Sequence, residues 1–284
     1  MIFSLVRMTS RDYEPFFLSS DIPLQIKETP LGDNDYEVLL KKDADPPVRY
    51  YLSLPGKSGK FPAVIVIGGL ETGKKSVEIA SELAGERDLI LMGMDYPYHG
   101  KRSFRGWDVL PSIPALRKAG LDSVRGVVMM VDYLYQREDV VQEKIVLIGV
   151  SLGAPISIVA GGIDERIAAV GALYGGGNIR RMVASVTGSS IAGWTAGMLL
   201  APVEPLDYVA RISPRPLLMI NSPEDEFIPY ICTEQLYHKA GEPKKLIPLK
   251  TGHVLPDKTA LLKELISYVD VWLDEEGLII KSSP

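Results

Sequence analysis

Lys144-Ile145-Val146-Leu147-Ile148-Gly149-Val150-Ser151-Leu152-Gly153-Ala154-Pro155-Ile156-Ser157-Ile158-Val159-Ala160 is the stretch from which the rest of the chain is read. After Lys144 comes an unbroken apolar run, the pattern of a strand buried on both faces of a parallel sheet, and the last seven residues have the character of a helix. Between them stands Gly-x-Ser-x-Gly. A strand that turns abruptly into a helix brings backbone segments together, so small residues two before and two after the serine prevent collision. The N-terminus of the following helix places partial positive charge beside the hydroxyl. This context presents Ser151 as a candidate nucleophile.

The same rhythm extends on both sides. Ala63 to Ile67, Leu89 to Met94, Ile167 to Leu173, Pro216 to Ile220 and Lys245 to Leu249 read as strands. Helix-length segments separate them, with Val124, Val127, Val128, Val131 and Leu134 recurring at helical spacing, as do Ala260, Leu261, Ile266, Val269 and Trp272. Such alternation means βαβ units: an α/β fold with a mostly parallel central sheet and helices on both faces. Upstream, Glu37 to Leu40 and Val48 to Leu52 read as an antiparallel N-terminal hairpin leading into that sheet. Residues 1–284 are expected to form a single domain. About 40 residues intervene between the strand ending near Tyr174 and the one opening at Pro216, far more than an ordinary loop. With apolar stretches around Met182, Ile191, Trp194, Met198 and Leu199, residues 176–213 read as an inserted cap.

Composition narrows the partners. Lys plus Arg number 31 against 36 Asp plus Glu, a formal charge of −5, and no basic block occurs. A nucleic-acid binder or a protein drawn to anionic lipid needs the opposite balance. The weakly polar stretch Ile191 to Val203 falls short of the roughly 20 residues that span a bilayer. The N-terminal apolar patch is too short for an export signal, and the single cysteine, Cys232, cannot form an internal disulfide, so a cytoplasmic location is expected. Self-association is left open.

A serine nucleophile needs a base within hydrogen-bond reach, and that base an orienting carboxylate. The chain has three histidines. His99 lies upstream of the serine and His238 within the helical stretch Tyr230 to Lys239. His253 alone stands on a loop after the last strand, downstream of Ser151, where sheet topology can bring the two together. The carboxylate should follow another strand end, and the turn after Ile220 offers Glu224, Asp225 and Glu226. Acyl transfer also needs donors aimed at the developing oxyanion. The backbone N–H of Leu152 follows the nucleophile, and a second, assigned to Leu70, comes from the Gly68-Gly69-Leu70-Glu71-Thr72-Gly73 loop. Neither His-Glu-x-x-His nor the dinucleotide and P-loop glycine spacings occur, so no metal and no cofactor is expected.

Taken together, these residues resemble the α/β-hydrolase superfamily over roughly Val48 to Trp272. The elbow is Gly149 to Gly153, the order Ser151, Asp225, His253 is similar to the superfamily's triad order, and Asp225-Glu226-Phe227-Ile228-Pro229 resembles its Asp-x-x-Val-Pro acid loop. Asp95-Tyr96-Pro97-Tyr98-His99-Gly100 is similar to the Asp-x-Pro-Gly-His-Gly loop of many members. The resemblance selects Asp225 among the three acids. Within the superfamily the chain looks closest to the dienelactone-hydrolase-like and prolyl-oligopeptidase-like esterases. It departs from the dienelactone hydrolases in carrying serine rather than cysteine at the elbow, and Gly68-Gly69 replaces a common His-Gly oxyanion motif.

The resemblance implies a serine carboxylic-ester hydrolase; the cap, with Trp194 and Met198 as walls, is expected to form an apolar acyl pocket of limited depth for a small-molecule ester of short acyl chain, with Tyr98 as a further substrate-binding residue. A serine peptidase using the same triad and a non-catalytic small-molecule binder on the same fold are the alternatives. Only about 60 residues precede Pro62, too few for the propeller that peptidases of this kind usually carry.

Overall fold

A computed structural model of the chain describes residues 23–42, 47–68, 73–84, 87–95, 97 and 112–279. Among these residues nine strands form one sheet: β1 (Gln25–Pro30), β2 (Asp35–Lys41), β3 (Val48–Ser53), β4 (Phe61–Ile67), β5 (Ile90–Met94), β6 (Val140–Val150), β7 (Ala169–Leu173), β8 (Leu217–Asn221) and β9 (Lys244–Pro248). Their spatial order is β1-β2-β3-β5-β4-β6-β7-β8-β9. The first three strands pair antiparallel, and β3 pairs antiparallel with β5. Every later pair is parallel. Mixed α/β architecture and the N-terminal hairpin agree with the alternation read from the sequence.

The hairpin is a meander of three strands rather than two. All six residues of β1 are exposed. It carries no alternation to read, because it joins through backbone pairing and through Glu28, whose carboxylate accepts a hydrogen bond from Tyr133 Oη at 2.6 Å and pairs with Arg137 at 3.2 Å. The central strands are the converse. β5, β7 and β8 are buried at every position, as expected of parallel strands covered on both sides.

Among the described residues seven α-helices accompany the sheet: α1 (Gly73–Ala84), α2 (Ile113–Tyr135), α3 (Gly153–Ile163), α4 (Ile179–Thr187), α5 (Ser190–Leu199), α6 (Tyr230–Lys239) and α7 (Thr259–Glu275). Two apolar layers result. On one face, Val124, Val127 and Val131 of α2 and Ile158 and Val159 of α3 pack on Ile65, Met92 and Leu147 of the sheet. On the other, Val77 of α1 and Leu265, Val269 and Trp272 of α7 pack on Val64, Leu91 and Val146. Alternate residues of one strand thus feed opposite layers, as a period of two requires. Arg87, its side chain fully buried, ties α7 to the approach of β5 through Asp270 at 2.6 Å and Asp274 at 2.8 Å.

Chain order places the chemistry. From β4 the chain runs outward to β5 and then returns past β4 to β6, after which strands are added in the other direction. The order therefore reverses between β4 and β6, and the crevice at the strands' C-terminal ends beside such a reversal is where open α/β sheets bind ligands. Ser151 follows β6, Tyr174 follows β7, the three acids follow β8 and His253 follows β9, all at that edge.

Candidate active site

The turn after β6 is as tight as its glycines imply. A Cβ on Gly149 would stand 2.2 Å from the Gly153 carbonyl oxygen, and one on Gly153 would stand 2.0 Å from that of Ile67. Neither position admits a side chain. Ser151 itself lies at φ 54, in the left-handed region that L-residues avoid. Its N–H donates to Leu173 O at 2.8 Å and its carbonyl accepts from Ala154 N–H at 3.0 Å, which fixes the strained turn from both sides. Leu152 follows as the residue at the N-cap of α3, so its amide stands at the positive end of that helix.

Three loops bring Ser151, His253 and Asp225 together. Ser151 Oγ is 2.7 Å from His253 Nε2, and His253 Nδ1 is 2.8 Å from Asp225 Oδ2. The second Asp225 oxygen accepts the N–H groups of Phe227 at 2.8 Å and Ile228 at 2.9 Å. With its side chain fully buried, this carboxylate has fixed donors on both oxygens and no freedom to turn. Glu224 and Glu226 are exposed. Of the three acids that the sequence leaves adjacent, only Asp225 therefore meets the imidazole.

The imidazole has aromatic neighbours. Tyr174 meets it edge-on at 5.7 Å between ring centres and Phe227 at 5.1 Å. Tyr174 Oη hydrogen-bonds the Thr251 hydroxyl, and burial pushes its phenol upward, so it is a neutral hydrogen-bonding group at ordinary pH. Sequence reasoning gave neither Tyr174 nor Phe227 a role, since Phe227 fills an unspecified position of the acid-loop motif and Tyr174 belongs to no motif. Their one legible signal is position, each just beyond a strand of the parallel sheet.

A second set of contacts joins the loops. Ser222 Oγ accepts the N–H of Thr251 at 3.2 Å and that of Glu224 at 3.0 Å. Asn221 Nδ2 donates to Gly175 O and to Thr233 Oγ1, both at 2.6 Å, linking the ends of β7 and β8 to α6. Glu226 Oε2 accepts the backbone N–H of His253 at 2.8 Å. That hydrogen bond, assisted by Lys258, holds the Glu226 carboxyl below the usual carboxylate range.

The segment between β7 and β8 is built differently. Helices α4 and α5 pack closely, since a Cβ on Gly193 would stand 2.3 Å from Arg180 O. Glu204 anchors them: its carboxylate accepts the N–H groups of Asn178 and Ile179, each at 2.7 Å. Burial nonetheless raises its pKa above the ordinary value, against the lowering effect of these donors. Trp194 and Met198, named from the sequence as pocket walls, lie on α5 with 54% and 44% of their surfaces exposed, beside Ile191 at 76%. A depression of about 340 Å³ on this segment is lined by Asn178, Arg180, Arg181, Ala184 and Ser190, and so borders none of the three residues that meet at the elbow.

The remaining sequence-derived positions divide simply. Leu70, Tyr98 and His99 lie outside the described residues, as do Gly69, Glu71 and Thr72. His238 sits in the last turn of α6, its ring beside Tyr237. Cys232 is buried and its thiol is pushed up to about 11 by desolvation, which leaves it un-ionised at neutral pH. Among the described residues no cluster of three or more His, Cys, Asp or Glu side chains could hold a metal. Among them also, no helix is long and apolar enough to cross a membrane.

No family model matches the chain. Its curated relatives include the uncharacterized protein YfhR of Escherichia coli O157:H7, 32% identical over 158 residues that cover 52% of this chain and 50% of that protein. YfhR of Salmonella typhimurium is 30% identical over 184 residues, covering 59% and 55%. The chain thus spans about half the length of the curated relatives it matches. Similar solved structures include acetyl xylan esterase 1 from Thermoanaerobacterium sp. JW/SL YS485, with TM-score 0.67, 15% identity and coverage of 92% of this chain and 93% of that one. The acetyl xylan esterase from Paenibacillus sp. R4 has TM-score 0.67 and 16% identity over 94% and 99% of the chains. A 2,6-dihydroxy-pseudo-oxynicotine hydrolase has TM-score 0.64 and 19% identity over 96% and 74%. At such identities the likeness is one of fold, and the fold is that of the α/β-hydrolases.

Proposed function

We propose that this α/β-hydrolase-fold chain is a serine ester hydrolase acting on small or short-chain carboxylic esters through an acyl-enzyme. The observation that carries the reading is the unbroken line Ser151 Oγ, His253 Nε2, His253 Nδ1, Asp225 Oδ2, with separations of 2.7 and 2.8 Å at the edge where the strand order reverses. In this reading His253 Nε2 takes the hydroxyl proton as Ser151 Oγ attacks the ester carbonyl. Asp225 holds the tautomer that carries hydrogen on Nδ1 and stabilises the imidazolium that forms. The Leu152 amide at the start of α3 donates to the developing oxyanion, and the loop after β4, through Leu70, supplies the second donor. Collapse of the tetrahedral species breaks the bond to the alkoxide, which leaves with the His253 proton. Water, deprotonated by the same nitrogen, then cleaves the acyl-enzyme.

The acyl-group preference draws on two further points. Two structurally similar proteins are named as acetyl xylan esterases, so the fold accommodates acetyl-ester chemistry. Residues 176–213 act as an inserted cap beside the crevice, with Trp194 and Met198 offering apolar surface to the acyl part. No cofactor takes part in this scheme.

A matched panel of p-nitrophenyl esters from acetyl to long acyl chains, run beside aminoacyl anilides and with Ser151→Ala as control, tests the reading. Ester turnover that declines with chain length and vanishes in the variant supports it. Preferential anilide cleavage would replace it with a peptidase, and binding without turnover of any ester would replace it with a receptor.

A further inference from the structure

His253 is held at more than its ring. Its imidazole is fixed by Asp225, its backbone N–H by Glu226 Oε2 at 2.8 Å, and its carbonyl by Lys258 Nζ at 2.8 Å. Glu226 and Lys258 approach each other over Gly252, where a Cβ would stand 3.0 Å from Glu226 Oε2 and 3.3 Å from Lys258 Nζ. Gly252 therefore leaves room for both side chains, which any side chain of its own would crowd.

We propose that Glu226 and Lys258 form a positioning pair that clamps the backbone of His253, keeping Nε2 on the Ser151 hydroxyl during proton transfer. The inference rests on the ester-hydrolase reading and adds two residues to it. Its physical basis is that one hydrogen bond at Nδ1 leaves the imidazole free to pivot about that contact, whereas fixing the peptide on both sides of Cα removes the pivot. Because Glu226 directly follows Asp225, the single turn from Ser222 to Ile228 sets both the ring and the peptide that carries it. A displacement near 1 Å of a catalytic group costs about a hundredfold in rate. Glu226 is exposed and Lys258 half-buried, and contacts made by charged side chains near the surface add little to folding stability, so the two hydrogen bonds contribute to geometry rather than to the core.

The test compares the full-length wild type with Ser151→Ala, Glu226→Ala, Glu226→Gln and Lys258→Met. It measures kcat and KM on p-nitrophenyl acetate, thermal midpoint, and hydrogen exchange at the His253 amide. Glu226→Ala should lower kcat by roughly 10- to 100-fold, the range for a loosened catalytic group, with KM within about twofold. Its thermal midpoint should stay near that of the wild type while the His253 amide exchanges faster. Glutamine retains an oxygen acceptor for the same N–H, so Glu226→Gln should recover most of kcat, and Lys258→Met should fall between. Wild-type kcat and unchanged amide exchange in Glu226→Ala, alongside lost turnover in Ser151→Ala, overturn the clamp alone. Turnover that survives in Ser151→Ala overturns the clamp together with the reading beneath it.

Discussion

The loops after β8 and β9 and the helices between β7 and β8 occupy the same end of the sheet, yet they are held by opposite means. The loops bury Asp225 and His253, and their polar groups meet one another across long sequence separations. The helices α4 and α5 close on each other through Gly193 and Gly197, rest on one buried carboxylate, Glu204, and turn Ile191, Trp194 and Met198 to solvent. The geometry of the proposed reaction is thus built into hydrogen-bonded loops over a rigid sheet, whereas the neighbouring helices pack tightly on each other and leave an apolar face in solvent.

Substitutions can break this contrast from either side. The largest effect belongs to Asp225→Asn. It keeps the shape but favours the wrong imidazole tautomer, so kcat on p-nitrophenyl acetate should fall by about 10⁴-fold. Circular dichroism should leave the folded state unchanged; activity within tenfold of the wild type would mean that Asp225 does not orient the base. Next comes Gly153→Ala, whose methyl would strike the Ile67 carbonyl. Urea unfolding should show a loss of about 2 kcal/mol or more, since relief requires the elbow to move.

On the other side the effects are smaller. Trp194→Ala, at an exposed position, should change folding stability by no more than about 0.5 kcal/mol. Its effect should appear instead in the acyl-chain series, as a changed ratio of butyrate to acetate turnover, and an unchanged ratio removes Trp194 from the pocket. The smallest concerns Glu204. Burial raises its folded-state pKa above the unfolded value, so folding favours the protonated form. That stabilising contribution is fully present below the unfolded pKa and is lost as pH rises through the raised one. Glu204→Gln does not titrate, so the difference in thermal midpoint between variant and wild type should move in the variant's favour from pH 4 to pH 7. A difference independent of pH would contradict this.

Much of the contrast was legible beforehand, but unevenly. Ser151 and its glycines could be read because a strand-to-helix turn imposes its steric demand within five residues. The central strands could be read because burial on both faces leaves a continuous apolar run. β1 could not, since it presents six exposed residues to solvent and joins by backbone pairing and the distant contacts of Glu28 with Tyr133 and Arg137. Asp225 could not be separated from Glu224 and Glu226 by residue type, because only the fold determines which carboxylate turns inward. The grip of Glu226 on the His253 amide spans 27 residues and depends on how two loops meet, and no local pattern encodes such a meeting. Helical spacing placed Trp194 and Met198 on one face without saying whether protein or solvent lies opposite.

Among the described residues, the non-glycine positions with left-handed backbone are Ser151, Tyr174 and Asn178, all between the end of β6 and the start of α4. Conformations of this kind cost on the order of 1–3 kcal/mol each. Glycine would relieve the clash at any of them, and at Ser151 it would also delete the proposed nucleophile. A population of variants selected only for heat resistance would therefore accumulate glycine at the very residue proposed to do the chemistry. Selected only for turnover, it would keep the strain, so the two pressures pull in opposite directions at the elbow.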